Sequence, residues 1–472
     1  MTFVIYDLTF LVLFVILVSV FLYTRKSNLK KEGLLYLYRT RLGMKLIDYV
    51  GGKYKKTLKA LSYVSIATGY ALMISMFYLT YSILKIYILR PDVVSAIKVP
   101  PITPLVPYID KIVPGLPSFF FTYWIIIIAI IAITHEFSHG IFMKRYGIKI
   151  KSTGFGFFPF FLPVFLAAFV EQDDESMTKK KNFEQMAVLS AGTFANVLTA
   201  ILFFRILILF FSLAFTPSGV VFDSYQYSYI NSLDIISINN ILVSNATHQQ
   251  ILDLSNEEGF TEVRTKDELY FSTMELINNS ANKEIFEAYN TLVLFDDSPA
   301  INAGLTGAIL KVNGVSINSV DELQKEFMKF SVGEIIEIET TEGIYEITLE
   351  ENPEKKGSPY LGIGFMDQGR TGVIGKVVDS LSPKTSHVNY EPNFGMSEFI
   401  YKLIWWIVLI SLSVALVNML PVGIFDGGRF FYLTILSITK NKKIAENFFK
   451  VSTYFFLFLL LILMVFWVIS FI

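Results

Sequence analysis

The chain has 472 residues, 53% of them hydrophobic, with a mean hydropathy of +0.52, a formal net charge of -1 and no cysteine. Such an apolar excess excludes a single water-soluble globule and points to an integral membrane protein carrying a soluble portion. Near-neutral charge gives no basis for a nucleic-acid partner, and the absence of cysteine excludes disulfides, a thiolate nucleophile and a Cys-ligated metal.

Phe3 to Tyr23 is apolar and long enough to cross a bilayer, which takes about 20 residues. It lacks a basic n-region and a small-residue cleavage site, so it reads as a retained span rather than a signal peptide. The stretch from Arg25 to Lys59 is strongly basic, opposed only by Glu32 and Asp48. The positive-inside rule therefore puts this loop in the cytoplasm and the N-terminus outside. Leu61 to Ile88 returns outward, Pro91 to Pro117 reads as an irregular, proline-rich external connection, and Phe119 to Met143 runs inward. Lys144, Arg145, Lys149 and Lys151 suit its inner end.

That inward span carries His135-Glu136-Phe137-Ser138-His139. Residues four apart share a helix face, so both imidazoles can reach one Zn²⁺ while Glu136 stands beside the open coordination position, as in water activation by a metallopeptidase. Two of the chain's four histidines sit here with a carboxylate at membrane depth. Ionisable groups are costly there and usually functional, which weighs against an accidental cluster satisfied within a helix bundle.

From Gly154 through Phe158 to Val170 the sequence is apolar, yet Pro159, Pro163 and two glycines interrupt it. An aromatic strand or re-entrant hairpin fits better than a spanning helix, and its exposed edge would suit strand addition by a substrate; an interfacial loop with aromatic anchors is the plainer alternative. Gln172 to Lys181 is polar and cytoplasmic, and Phe183 to Phe215 runs outward. Its inner third, Ser190 to Asn196, is rich in small residues that permit close helix approach. Asn196 fits either packing or support for a metal site.

Composition turns soluble from Pro217 to about Asn393, on the external side by the span polarity. Ile309 to Ile317 reads as strand, Asn313-Gly314 turn and strand, followed by a helix from Val320 to Phe330 and strands at Ile335 to Thr340 and Ile344 to Glu350. Together with Ser298-Pro299-Ala300 and Ala303-Gly304-Leu305, this stretch resembles a PDZ domain of the kind found in bacterial-type membrane proteases, which implies a groove for peptide ends or extended segments. Ile235 to Leu242 with the Gln249 to Leu254 helix repeats the pattern weakly, leaving open a second, degenerate module or one domain with an irregular insertion. Asn245 and Asn278 begin sequons, compatible with an external face.

Ser397 to Leu420 crosses inward again and leads into Asn418-Met419-Leu420-Pro421-Val422-Gly423-Ile424-Phe425-Asp426-Gly427-Gly428. Pro421 and the glycines bend the backbone around Asp426, at a membrane depth similar to that of His135 and His139. After Lys440 to Lys443, a last span from about Tyr454 to Ile472 leads out, and Phe430 to Ile438 reads as helical continuation or partial re-entry. Catalytic zinc commonly takes three protein ligands and a water. His248 and His387 lie in the external portion, so Asp426 is the best third donor; its plainer role is an Asx turn or helix cap.

HEFSH, the Asn-x-x-Pro-x-x-x-x-Asp-Gly pattern from Asn418 to Gly427, the Gly154 to Phe158 stretch and the PDZ-like insert, in this order, resemble the site-2 protease family of intramembrane zinc metalloproteases. Phe425 replaces the family's usual leucine. The resemblance implies His135, His139 and Asp426 as zinc ligands, Glu136 as general base, and Asn418 near the substrate or the developing oxyanion. It implies membrane-spanning protein substrates, locally unwound, in contact with membrane lipid, and a possible peptide or protein ligand of the PDZ-like region. The expected fold is a polytopic α-helical membrane protein of about six spans with a membrane-associated β-hairpin-like segment and an inserted α+β PDZ-like soluble region. It divides into N-terminal spans (1–118), a first catalytic part (119–216), an extracytoplasmic region (217–395, its clearer PDZ-like module at about 291–368) and a second catalytic part with the C-terminal span (396–472). The competing readings are a catalytically silent scaffold that binds partners through the PDZ-like region, a metal transporter or sensor, and a zinc protease of another membrane family with glutamate as third ligand. Intact Glu136 disfavours the first, and the lack of a polar path along several spans the second.

Overall fold

A computed structural model of the chain describes residues 3–32, 35–90, 94, 100, 105–111, 117–157, 166–353, 355–365 and 382–469. The chain forms two compact units, Met1–Leu209 with Glu398–Ile472, and Phe210–Ser397. Among the described residues six helices are long and apolar enough to cross a membrane, each lying wholly or mostly in the first unit.

The first of these, α1 (Phe3–Thr24), is nearly uniform in hydrophobicity around its circumference, as a lipid-facing helix must be. Its one buried residue is Asp7, whose carboxylate accepts from the Tyr108 hydroxyl (2.5 Å), the backbone N–H groups of Phe121 (2.7 Å) and Thr122 (2.9 Å), and the Thr122 hydroxyl (2.5 Å). These N–H groups belong to the first turn of a later helix, where unpaired donors and the helix dipole both favour an anion. Asp7 therefore pins α1 to that helix. Asp7→Leu, which keeps α1 apolar, is expected to lower stability by about 2–4 kcal/mol. Thermal unfolding in detergent checks this, with faster proteolysis at Thr24 to Lys31 as the second readout.

The basic loop is more structured than its composition suggests. It contains β1 (Leu29–Glu32), β2 (Leu35–Thr40) and α2 (Met44–Lys53), and leads directly into α3 (Lys55–Leu89). The HEFSH helix is α4 (Phe121–Arg145), followed by β3 (Ile150–Phe157), β4 (Leu166–Gln172), the short α5 (Asp174–Thr178) and α6 (Asn182–Ala214). The four strands form one antiparallel sheet in the order β1-β2-β3-β4. A strand pair is indeed present, but the Gly154 to Phe157 backbone is not an edge: Gly154 pairs with Arg39 of β2 on one side and Phe169 of β4 on the other. The edge strand on this side is β4, with β1 at the opposite edge, because β2 occupies the position beside β3 that the sequence left open. Phe158 and the rest of 158–165, with both prolines, lie outside the described residues.

In the second unit the chain passes through β5 (Phe215–Val220), β6 (Ser224–Tyr225), β7 (Tyr227–Asn231), β8 (Ser237–Ile238), β9 (Ile241–Leu242), α7 (His248–Asp253), β10 (Thr261–Arg264), β11 (Leu269–Ser272), α8 (Met274–Asn278), α9 (Ser280–Tyr289) and β12 (Thr291–Asp296). It continues through α10 (Pro299–Asn302), β13 (Ile309–Val312), β14 (Val315–Ser316), α11 (Val320–Phe327), β15 (Ile335–Thr340), β16 (Ile344–Thr348), β17 (Glu350–Asn352), β18 (Lys355–Tyr360), β19 (Ile363–Gly364) and β20 (Val388–Pro392). Two six-stranded sheets run β7-β12-β11-β10-β8-β9 and β16-β15-β13-β5-β20, the latter with β14 on β13, and the pairs β17-β18 and β19-β6 form two smaller ones. Each six-stranded sheet has its own core, one around Ile238, Ile251, Val263 and Leu292, the other around Ile309, Leu323, Ile336 and Ile347.

The weak sequence repeat has a structural counterpart. In both halves a strand pair with an Asn turn leads to a helix and then to a second strand pair whose first strand returns to the opening strand. Asn239 and Asn313 have left-handed φ of 47° and 48°, a conformation Asn tolerates better than most side chains. Each makes the same pair of bonds to the third strand: Asn239 N–H to Glu262 C=O (2.9 Å) and Glu262 N–H to Asn239 Oδ1 (3.1 Å), Asn313 N–H to Glu337 C=O and Glu337 N–H to Asn313 Oδ1 (both 2.8 Å).

The chain ends in α12 (Ser397–Asn418), α13 (Asp426–Thr439) and α14 (Lys442–Ile469). Phe430 to Ile438 is thus helical, and the last helix starts well before Tyr454 because its polar first turns continue the apolar segment without a break. Phe430 is fully buried and meets Tyr70 of α3 edge-on, with 4.9 Å between ring centroids. Met73, Ala187, Ala191, Ala415, Met419 and Leu433 share its core, which packs α3, α6, α12 and α13 together.

Candidate metal centre

Helical periodicity places His135 and His139 one turn apart on α4, both buried, with their Nε2 atoms 3.1 Å apart. Asp426 opens α13, reached from Asn418 by the tight 419–425 segment. Its Oδ2 lies 3.5 Å from His135 Nε2 and 3.3 Å from His139 Nε2. Among the described residues these three form the one group of His, Asp or Glu donors with ligand atoms all within 4.8 Å.

The triangle suits zinc. Four ligands held tetrahedrally at about 2.0–2.1 Å stand roughly 3.3–3.4 Å from one another, and the separations of 3.1, 3.3 and 3.5 Å bracket that value. The far side of each ring is also fixed. His139 Nδ1 donates to the Val188 carbonyl (2.7 Å), so its Nε2 keeps a lone pair for the donor cluster. His135 Nδ1 faces the side-chain amide of Asn196 at 3.1 Å, and Asn196 Oδ1 is buried without a partner. With the amide turned, Oδ1 accepts the Nδ1–H and the second Nε2 is likewise free to ligate. Of the two roles open to Asn196 from sequence, the histidine contact is therefore the one seen.

Gly192 completes the cradle. A Cβ at this position would lie 2.4 Å from His139 Nε2 and 2.6 Å from His135 Cε1, so α6 approaches the donors as closely as backbone alone allows. Gly427 and Gly428 act similarly on α13, where added Cβ atoms would strike Met419 C at 2.4 Å and Val422 O at 2.3 Å. They let Asp426 turn back against the end of α12.

Glu136 is half-buried beside the donors, and its Oε2 accepts the Val170 N–H of β4 at 2.9 Å. His135, Glu136, Asn418 and Asp426 all line one cavity of about 370 Å³, whose apolar walls include Ile128 and Ile131 of α4 and Ile410 and Val414 of α12. Ala168 of the edge strand β4 faces the same cavity.

A family model described as Peptidase family M50 matches residues 123–463, more than half of the chain and spanning both motif regions. The chain belongs to peptidase family M50. This is the site-2 protease family that the motifs resemble, a family of membrane zinc metalloproteases, and six apolar helices together with the His135-His139-Asp426 group accord with membership. The M50 chain is also 30% identical over 190 residues to an uncharacterized protein of Methanocaldococcus jannaschii, a match covering 39% of this chain and 46% of that protein. It thus matches about half the length of that curated relative.

Three contributors to the M50 site escape sequence reasoning. Val188 acts through a backbone carbonyl, which leaves no mark in the side-chain pattern. Gly192 reads as one more small packing residue, and Val170 offers only its N–H.

Proposed function

We propose that the chain is an intramembrane zinc endopeptidase that hydrolyses peptide bonds within or near transmembrane segments of membrane-anchored proteins. The observation that carries this is the convergence, in one apolar-walled cavity, of His135 and Asp426, two members of the donor group that His139 completes, with the Glu136 carboxylate and Asn418. When bound by those three side chains, zinc supplies the Lewis acidity that activates water and polarises a peptide carbonyl.

Glu136 is the proton carrier of this reading. Its carboxylate takes a proton from the attacking water and delivers one to the leaving amine nitrogen. Asn418, at the last turn of α12, presents a side-chain amide where negative charge would develop on the carbonyl oxygen. The substrate backbone has to be extended at the cleaved bond, since a helix shields its own carbonyls. The free edge of β4 supplies replacement hydrogen bonds for that extended segment, with Ala168 at the cavity wall. Occupation of this edge would compete with the bond between Val170 N–H and Glu136, freeing the base as substrate arrives.

The charge pattern supports a multi-pass protein of the cell membrane with the Arg25 to Lys59 region and the metal centre toward the cytoplasm and the 217–395 region outside. The paired Asn turns support two related, PDZ-like modules there, the clearer at about 291–368, which would admit trimmed substrates and exclude bulky external domains.

The test is cleavage of a panel of single-pass membrane proteins by the purified chain in lipid, with zinc content measured on the same samples. Glu136→Gln is expected to keep zinc and lose roughly a thousandfold in rate. Chelation should abolish cleavage by the unaltered chain. Zinc loaded to one equivalent with no cleavage of any panel member, trimmed or intact, would favour the scaffold reading.

A further inference from the structure

Between Glu184 and Asp223 the sequence carries a single charged residue, Arg205, set in the apolar run Ile201-Leu202-Phe203-Phe204-Arg205-Ile206-Leu207-Ile208-Leu209. It belongs to α6, one of the six helices able to cross a membrane, and the peptidase reading does not use it. The helix has two faces at this level. Ala200 and Leu207 are buried, whereas Arg205 stands on the opposite side among Ile201, Leu202, Ile208 and Leu209, the positions one turn before and after it. All five are exposed. Among the described residues the Arg205 guanidinium has neither an ion pair nor a hydrogen bond.

That placement reverses the usual one. A charged group inside a span is costly, and it ordinarily faces the bundle interior or a water-filled cavity and is paired there. Asp7 of α1 obeys the rule, buried with four donors around it. Arg205 instead turns its donors to the lipid side. Snorkelling does not relieve it. An arginine near a helix end can bend to the headgroups, but Arg205 lies nine residues short of Ala214, about 13–14 Å at 1.5 Å per residue, which is more than its side chain spans. Side chains on a helix also lean toward its N-terminus, here back toward Asn196 and away from the nearer end. The guanidinium is thus a donor group left without a partner at membrane depth.

We infer that this face of α6 docks a membrane-spanning helix of a partner protein that carries an aspartate or glutamate at the depth of Arg205, its apolar residues packed on Ile201, Leu202, Ile208 and Leu209. Charge complementarity selects this occupant, since a carboxylate takes two parallel hydrogen bonds from a guanidinium and the apolar neighbours exclude water from the pair. A second copy of the chain does not supply the acid. Of the acids in the six helices, Asp7 is held by its four donors and Glu136 by Val170 N–H, while Glu184, Glu398 and Glu446 lie in the opening turns of their helices. A chain being cleaved is not the occupant either, because no residue of α6 lines the cavity that holds His135, Glu136 and Asp426. The inference therefore does not rest on the peptidase reading, and its test involves no cleavage.

The probe is a synthetic leucine–alanine helix of about 20 residues with lysine ends, free of tryptophan, dansylated, and carrying one glutamate a third of the way along. Its glutamine twin is the control. Each is reconstituted with the full chain in phosphatidylcholine vesicles, and association is read as energy transfer from the chain's four tryptophans. The glutamate helix is expected to associate about tenfold more strongly than the glutamine helix. Arg205→Leu, which continues the apolar stripe and should leave helicity and zinc content unchanged, is expected to abolish that difference, and Arg205→Lys to retain part of it. Equal association of the two helices with the unaltered chain, or a glutamate preference that survives Arg205→Leu, would overturn the inference. So would loss of the preference when phosphatidylglycerol replaces part of the phosphatidylcholine, which would assign the guanidinium to a lipid phosphate. Association between copies of the chain that disappears in Arg205→Leu would likewise overturn it, by assigning the face to self-assembly.

Discussion

Gly192→Ala is expected to empty the metal centre. Alanine is favoured over glycine inside a helix by about 1 kcal/mol, so α6 taken alone gains from the change. The added methyl, however, would stand 2.4 Å from His139 Nε2 and 2.7 Å from His135 Nε2, the two ligating atoms themselves. Either the rings rotate away from Asp426, breaking the Val188 and Asn196 contacts that orient them, or α6 moves outward through a core of close-packed alanines and methionines. Both responses spread the donor triangle. Loss of orientation alone is worth up to about a hundredfold in metal affinity, and displacement of the ligands exceeds it. Metal analysis of the purified variant should find zinc well below one equivalent while helix content by circular dichroism is unchanged. Gly52→Ala in α2 is the control, because its Cβ would meet nothing within 4 Å. Full zinc occupancy in Gly192→Ala would mean that α6 does not bear on the site as closely as the structure has it.

How far the sequence foretells such effects depends on the range of the interaction. His135, Glu136 and His139 are legible because helical spacing is local and their cost at membrane depth singles them out. Asp426 is legible through element order and depth, though only the fold brings it to 3.3 Å from His139. The sheet is another matter. Leu35 to Thr40 alternates as a strand should, but Lys30, Lys31, Arg39 and Arg41 draw the same stretch toward a topology signal, and its partner β3 lies more than a hundred residues away. Which strand becomes the edge is decided by that distant pairing, so the free edge moves from Gly154 to β4. Asp7 fails for the opposite reason. A lone acid in a first span has no motif, and its four donors become visible only when Tyr108 and the start of α4 are in place.

Asp426→Ala is expected to remove zinc and cleavage together, and this separates ligand from base. Two imidazoles remain in the variant, short of the three protein ligands that catalytic zinc commonly takes, and the affinity should fall by more than about a hundredfold, the upper value for an outer partner. Other carboxylates are already engaged. Glu171 is paired with Arg39 (Nε to Oε2, 3.0 Å) and accepts from the Ser152 hydroxyl, while Glu136 is bonded to Val170 N–H. Asp426 also begins α13, where a negative charge is favoured by the helix dipole, so part of its cost on removal is structural. Asp426→Asn keeps the size of the side chain and removes its charge, and thermal unfolding read beside zinc content separates the helix-dipole contribution from ligation, since Phe425 and not Asp426 is the N-cap residue of α13. Zinc lost in both variants and retained in Glu171→Gln would assign the third ligand to Asp426. Zinc retained in Asp426→Asn and Asp426→Ala alike would leave that residue only its charge at the start of α13 and move the third donor elsewhere. Paired with Glu136→Gln, in which zinc stays and turnover goes, the series tells whether this chain divides metal binding and proton transfer between α13 and α4.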